Sequence, residues 1–331
     1  MSSLAQWRNP GAQAISTPNL QLRCPRCRFG LGPLRNERET VRVQCPMCLL
    51  EIPCRDGIWR AIPSGREAYF ERFMMEYQIV RAKEGRGSRS DAYYLELPYR
   101  DVTGKNDLQW RIRARTYRYI ERRVLPLLER HQPGALGVLD AGAGNGWLSY
   151  RLSLRGHRPV ALDLLTNELD GLGAAAHYEN VLKYLFPRFQ GEIDHLPFAD
   201  SQFHCIIYNA SFHYSEDYAR TLSEAMRCVR NRGLIIIADT PWYSNERSGR
   251  LMVSERRALF TKKFGFPSDG ISSEEFLTDL RLRGLEDRCG VRWQVHSPWY
   301  GFRWALRPVI AKVRRRREPS RFRVYVAEVR K

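Results

Sequence analysis

Short, almost wholly apolar runs recur along the second two-thirds of the chain, each followed by a stretch with helical spacing. Gly137-Val138-Leu139, Pro159-Val160-Ala161-Leu162, residues 203–209 and residues 233–239 read as buried strands, because a strand covered on both faces lacks polar alternation. Between them, residues 147–154, 180–186 and 215–230 read as helices, the last closed by Asn231 and Gly233. Ahead of the first strand, 108–130 is a basic amphipathic helix with Ile112, Ile120, Val124 and Leu127 on one stripe, and Pro126 kinks its last turn. Residues 272–285 open with Ser-Ser-Glu-Glu, a capping signature, and read as the last main helix. Residues 293–296 and 321–329 then form a closing strand pair. Strand–helix alternation of this kind predicts an α/β fold, a doubly wound and mostly parallel sheet with ligands at the carboxyl ends of its strands.

Upstream the pattern changes. Residues 67–83 carry Tyr69, Phe70, Phe73, Tyr77 and Val80 at helical spacing, 84–90 is glycine- and serine-rich and reads as a mobile loop, and Tyr93, Tyr94 and Tyr99 follow. Residues 24–48 hold two Cys-x2-Cys pairs, Cys24/Cys27 and Cys45/Cys48, 17 residues apart. That is zinc-ribbon spacing: each pair sits on a knuckle presenting two thiolates, and together they close a structural four-sulfur site for Zn2+ with no position open to water. Arg28 and Leu49 stand where such knuckles often carry glycine. The four other cysteines lie in or beside apolar stretches, as reduced thiols do in a cytoplasmic protein. The expected organisation is a disordered lead-in (1–22), a zinc ribbon (23–62), a helical connector and lid (63–107), and a main domain with a basic C-terminal segment (108–331).

Charge adds a location. The chain of 331 residues has a formal net charge of +18, and its last 41 residues hold 12 Lys/Arg against two Glu. Trp299, Phe302, Leu306, Ile310 and Val313 can share a face just ahead of the run Arg314-Arg315-Arg316-Arg317. A basic surface of this kind favours an anionic partner or substrate. Aromatics beside it suit either an anionic membrane surface or RNA through residues 298–331. No run is long enough to span a bilayer and the first 22 residues lack an apolar core, so the expectation is a cytoplasmic protein, with peripheral contact at the inner membrane surface as an option.

The sharpest chemical signal is Gly142-x-Gly144-x-Gly146, directly after the strand ending at Asp140. A dinucleotide fingerprint needs its third glycine three residues after the second, and a P-loop needs Lys-Ser/Thr; neither is present. Asp140 would repel a pyrophosphate and favour a cation. S-adenosylmethionine, a nucleoside with a sulfonium and an ammonium but no phosphate, is such a ligand. Asp163, 19 residues past Gly144 at the next strand end, is placed to accept hydrogen bonds from a ribose, and Asp194 with the backbone after it to face an adenine.

The blocks LDAGAGNG, ALD, GEIDHLPFADSQFHCIIYNASFHY and RNRGLIIIAD, in this order and spacing, resemble class I S-adenosylmethionine-dependent methyltransferases, specifically the subgroup of quinone-biosynthesis enzymes. The resemblance covers about residues 110–330. It implies a seven-stranded methyltransferase sheet, Asp140, Gly142 and Gly144 around the methionine end, Asp163 and Leu164 on the ribose, Asp194 and His195 by the adenine, and Asn209 at the cofactor. His213, in the loop where such enzymes bind acceptors, is the candidate base, and the tyrosines at 93, 94 and 99 are lid candidates. That family usually carries Asp where this chain has His204. The expected acceptor is a small or lipid-linked molecule, with ribosomal or transfer RNA as the alternative. A non-catalytic adaptor that only binds S-adenosylmethionine is the reading from another class.

Overall fold

The computed structural model describes residues 20–34 and 41–331. Most of the expected lead-in therefore lies outside the described residues, while Leu20 and Leu22 at its end are buried. Five short strands come first: β1 (Gln21–Arg23), β2 (Gly30–Pro33), β3 (Arg42–Gln44), β4 (Glu51–Arg55) and β5 (Ile58–Arg60). Helices α1 (Ser64–Lys83), α2 (Asp91–Glu96), α3 (Asp107–Tyr119) and α4 (Leu125–His131) follow. The main alternation then runs β6 (Gly137–Ala141), α5 (Trp147–Leu154), β7 (Arg158–Asp163), β8 (Arg188–Gln190), β9 (Phe203–Asn209), α6 (Tyr218–Cys228), β10 (Val229–Ala238), α7 (Glu246–Phe264) and α8 (Asp279–Cys289). It closes with β11 (Gln294–His296), α9 (Phe302–Ala305), α10 (Arg307–Val313) and β12 (Val324–Glu328).

Seven of these strands lie in the order β11-β12-β10-β9-β6-β7-β8. The inner five are parallel, and β12 runs antiparallel to β10 and to β11. The continuous apolar strands split residue by residue between two layers: Ile206, Tyr208, Ile235 and Ile237 enter one core with α6 and α8, and Cys205, Ile207, Leu234 and Ile236 enter the other with α3, α4 and α5. That is the doubly wound sheet the periodicity calls for.

The sheet does not stop at seven. β5 pairs in parallel with β8, and β4 and β3 continue antiparallel beyond it, making ten strands. Leu20, Leu22, Ile52 and Trp59 share one hydrophobic core with Leu139, Val160 and Ile206. Ion pairs Arg23–Asp200 (2.6 Å) and Arg28–Glu224 (2.7 Å) fasten the cysteine-bearing segment to the loop and helix that follow β8 and β9.

Several local expectations change on folding. Residues 180–186 form turns and bends rather than a helix; one short run closed by Pro187 cannot offset the cost of helix nucleation. The capping signature at 272–275 does not cap. Glu275 has φ +69° and pairs with Arg256 (2.5 Å), Glu274 pairs with Arg281 (2.9 Å), and α8 starts at 279 with the Thr278 side chain accepting from Arg281 N. The long helix at 108–130 is broken by a π-helical turn, Ile120–Val124, before Pro126, whose missing N–H disrupts the regular ladder. The 84–90 loop is packed down: Arg86 is buried, and a Cβ on Gly87 would lie 2.5 Å from the Leu169 carbonyl oxygen. His204 accepts the Gly137 N–H (2.8 Å) at the amino end of β6, away from the strand ends where ligands bind.

Trp59 is fully buried and stacks on Phe189 of β8 with ring centroids 6.3 Å apart. Trp59→Ala should cost about 3–5 kcal/mol, as large-to-small changes in well-packed cores do. Denaturant unfolding should show one cooperative transition at lower denaturant, because the segment's core and the main core are the same.

Candidate functional site

The glycine turn after β6 works through backbone commitments. Gly142 (φ +79°) passes so close to Ser211 that a Cβ would sit 2.2 Å from the serine Cβ. The N–H groups of Gly142 and Ala143 donate to the Leu162 carbonyl at 2.8 and 3.0 Å. Gly144 N–H donates to Asp163 Oδ2 (2.8 Å), while Leu165 N–H donates to Oδ1 (2.8 Å). The carboxylate at the end of β7 is thus oriented by the turn after β6, with lone pairs left for a ligand. Asp140 accepts from both the backbone N–H and the hydroxyl of Ser149 at 3.1 and 2.9 Å.

These groups line a cavity of ≈1040 Å³, open mouth included. Asp140, Gly142, Gly144, Asp163, Leu164, Asp194 and Asn209 all reach it. His195 does not. It stands behind Asp194 (3.2 Å) and Glu192 (3.4 Å), and those two carboxylates raise its pKa to about 9. Burial alone would raise Asp194; the His195 hydrogen bond reverses this and holds it low. Asn209 lines the cavity, and its Oδ1 is buried without a partner in the protein.

The roof is α1, which the tyrosine pattern at 93–99 had concealed. Tyr93 and Tyr94 are fully buried in the α2–α3–α5 core, and Tyr99 packs against Tyr117 (6.3 Å). Phe70, Phe73, Tyr77 and Arg81 of α1 cover the cavity instead, with Tyr214 edge-on to Phe73 and Tyr77 at 5.8 Å. Ion pairs pin α1 near its two ends: Arg66 to Glu192 (2.7 Å) after β8, and Arg81 to Asp170 after β7. Spacing of aromatics at 70, 73 and 77 between two arginines was the available signal.

Electrostatics sets this cavity apart from the rest of a cationic chain. Six carboxylates line it (Asp140, Asp163, Asp170, Glu192, Asp194, Glu216) against two guanidiniums, Arg81 and Arg113. Burial raises Asp140 to about 7 and Asp163 to about 6. Such groups are held against their preference for water, which a cationic ligand would relieve.

Two further cavities adjoin the first at Arg113 and Ala210. One, ≈980 Å³, contains His213, Arg256, Glu275 and Asp239. His213 is therefore next door to the first cavity rather than in it, and burial, then the charges of Arg256 and Arg113, depress it to about 3. The other, ≈2220 Å³, lies between α3 and residues 299–307 and is lined by Arg111, Arg113, Arg115, Arg303 and Arg307 against one carboxylate, Asp239. Asp239, just past β10 at φ +52°, accepts from Thr116 Oγ1 (2.6 Å), and its Oδ2 has no partner. Burial raises its pKa.

The four cysteines converge at the other end. Cys24 and Cys48 Sγ lie 3.5 Å apart, Cys27 and Cys45 3.4 Å, and all four fall within 4.8 Å of one another. A tetrahedral site with metal–sulfur bonds of about 2.3 Å has sulfur–sulfur edges of roughly 3.8 Å, so the donor set fits a zinc ion. Arg28 (φ +67°) and Leu49 (φ +58°) adopt the left-handed conformation that glycine would otherwise supply, each donating its N–H to the first cysteine carbonyl of its knuckle (3.0 Å).

Residues 139–237 match the family model of a methyltransferase domain. The match runs from within β6 almost to the end of β10 and takes in the glycine turn. The chain is similar to malonyl-[acyl-carrier protein] O-methyltransferases of Erwinia pyrifoliae (34% identity over 113 residues, 34% of this chain and 40% of that protein) and Yersinia pestis (34% over 101 residues, 30% and 35%). It spans about two-fifths or less of the length of these relatives. Among solved structures it is similar to S-adenosylmethionine-dependent methyltransferases of Mesorhizobium loti (18% identity, 61% of this chain and 96% of that one, TM-score 0.41) and Methanosarcina mazei (17%, 62% and 97%, TM-score 0.40).

Asp140→Asn keeps the hydrogen-bonding shape but removes the charge. Calorimetric affinity for S-adenosylmethionine should fall about tenfold or more, the worth of a charge-assisted contact. Because the folded pKa of Asp140 is raised from 3.8 to about 7, the native state holds the proton more tightly than the unfolded one, so this residue's contribution to stability falls as pH rises from 4 to 7. The variant should therefore melt a few degrees higher at pH 7.5, and wild-type affinity should weaken on acidification below about pH 6–7, where Asp140 and Asp163 protonate. Separately, chelating metal from the Cys24/Cys27/Cys45/Cys48 cluster should lower the single melting transition of the whole chain, as read by scanning calorimetry. A separate early transition would contradict the shared core.

Proposed function

We propose that this chain transfers a methyl group from S-adenosylmethionine to an anionic acceptor, small or lipid-linked, with a structural zinc in the four-cysteine cluster. One observation carries the reading: the reversal of charge across Arg113 and Ala210, from an acidic cavity suited to a sulfonium nucleoside to a basic cleft suited to an anion. Asp163 and Gly144 orient the ribose side, Asp140 and Asn209 face the methionine end, and Asp194 the adenine. S-adenosylmethionine supplies an already activated methyl, which leaves as the sulfur regains its bonding pair, so alignment and exclusion of water are the protein's main tasks. The roof of Phe70, Phe73 and Tyr77 excludes water, and the guanidiniums of Arg113 and Arg307 attract and hold the acceptor.

Where the acceptor must lose a proton, Asp239 is better placed than His213. Asp239 lines both cavities that meet the donor site, its Oδ2 is buried without a partner, and its raised pKa brings it toward neutrality, where a general base works best. His213, depressed to about 3, is a weak base. The malonyl-acyl-carrier relatives are named for an acceptor that is itself an acid on a carrier, which supports an anionic, tethered acceptor here.

Incubation with methyl-labelled S-adenosylmethionine and fractionated cell extract should move label into acidic lipid or small-molecule fractions. Label appearing instead in RNA, or in no fraction from protein that binds the donor, would overturn this reading. Once an acceptor is in hand, Asp239→Asn should lower kcat by about 10²–10⁴-fold. Donor affinity in that variant should stay within about twofold, because Asp239 does not line the donor cavity.

A further inference from the structure

Between β11 and β12 the chain leaves the sheet and forms a hairpin that carries α9 and α10. Its inner side is firmly held. The Tyr300 hydroxyl bonds the Thr116 hydroxyl (2.8 Å), Trp304 stacks on Phe322 (5.4 Å) beneath the Arg307 guanidinium (3.9 Å), and Glu318 accepts from the Ser244 hydroxyl (2.8 Å). The outer side is apolar and faces water. Phe302 is 79% exposed, Val313 78% and Trp299 61%, with Leu306, Val309 and Ile310 exposed between them. A segment this well anchored does not expose six large hydrophobics through looseness, and a contiguous patch of this kind marks an interaction surface.

The rim gives the chemistry. Arg303, Lys312, Arg314, Arg315 and Arg316 are exposed on the same hairpin, and residues 291–317 contain no carboxylate. An apolar centre inside a cationic rim complements an acyl layer beneath anionic headgroups. RNA is the poorer match, because only Trp299 and Phe302 of the six offer a ring on which a base can stack, while Leu306, Val309, Ile310 and Val313 are aliphatic. The helices span four and seven residues, too short to cross a bilayer, so the hairpin would lie along the surface.

The patch is also continuous with the basic cleft. Trp299, Phe302 and Arg303 form one wall, and Arg113, Ala210 and Asp239 line the same space where it meets the donor cavity. We propose that α9 and α10 dock the protein on an anionic phospholipid bilayer. Trp299, Phe302 and Val313 enter the headgroup–acyl boundary, Arg314 to Arg316 meet the lipid phosphates, and the cleft opens at the membrane surface. Delivery of an acceptor from the bilayer rests on the methyl-transfer reading above; the docking itself does not.

Co-sedimentation of the full chain with vesicles tests this. Binding is expected to vesicles of phosphatidylcholine mixed with phosphatidylglycerol, to fall with salt, and to be absent with phosphatidylcholine alone. Replacing Arg314, Arg315 and Arg316 together by Gln should weaken it about a hundredfold, at roughly fivefold per basic residue. The pair Phe302→Ser and Val313→Ser, at exposed positions, should abolish binding at moderate salt while calorimetric affinity for S-adenosylmethionine stays unchanged, which shows the fold intact. No binding to the acidic vesicles would overturn the proposal. So would binding indifferent to Phe302 and Val313, or displacement from vesicles by RNA at equal charge. Vesicle binding without any methyl transfer would leave the docking standing and count against the functional reading alone.

Discussion

Asp140, fully buried, and Asp163, half-buried, stand at the carboxyl ends of adjacent parallel strands, and both are held above the usual carboxylate range by desolvation. Neither is neutralised by an arginine bonded directly to it. Their partners are uncharged donors: Ser149 for Asp140, and the Gly144 and Leu165 amides for Asp163. The glycine turn is what permits this, since only a backbone free of Cβ at Gly142 can pass Ser211 and bring the next amide to the Asp163 carboxylate. An unneutralised acidic pair in a chain of net charge +18 is costly, and it fits a site whose ligand brings the missing positive charge.

The surrounding elements follow from that constraint. α1 closes the cavity because Arg66 and Arg81 find carboxylates, Glu192 and Asp170, on the loops after β8 and β7. The cysteine-bearing segment, by lending β5 to the edge strand β8, supports the loop from Gly191 to Asp194 from the side. The four-cysteine cluster is thereby joined to the wall of the acidic cavity through a continuous sheet. Beyond Arg113 the sign of the field changes, and the basic cleft and tail form a second environment for a ligand of opposite charge.

Much of this was readable in the chain. The parallel strands, the glycine turn, Asp140, Asp163, Asp194 and the four cysteines are signalled locally, by runs and spacings that survive without knowledge of contacts. Seven of the eight expected cofactor residues reach one cavity, and the eighth, His195, lies behind Asp194. What was hidden depends on who meets whom. The tyrosines at 93 and 94 carry the same composition as a lid, but they are core because α2 packs onto α5 and the turn at Leu172–Tyr178. Glu274 and Glu275 have the look of a helix start until Arg281 and Arg256 claim them. Asp239 and the meeting of three cavities at Ala210 come from elements distant in sequence, and no spacing announces them.

Selectivity for a nucleoside that carries a positively charged group follows from the acidic lining of the cavity. Its most direct test is side-by-side calorimetric titration of the zinc-loaded protein with S-adenosylmethionine, S-adenosylhomocysteine and a nicotinamide dinucleotide. Micromolar binding is expected of the first two, each of which brings an ammonium to the carboxylates, and none of the third, whose pyrophosphate would face Asp140 and Asp163. Tight binding of the dinucleotide, or no binding of S-adenosylmethionine to folded protein, would contradict it.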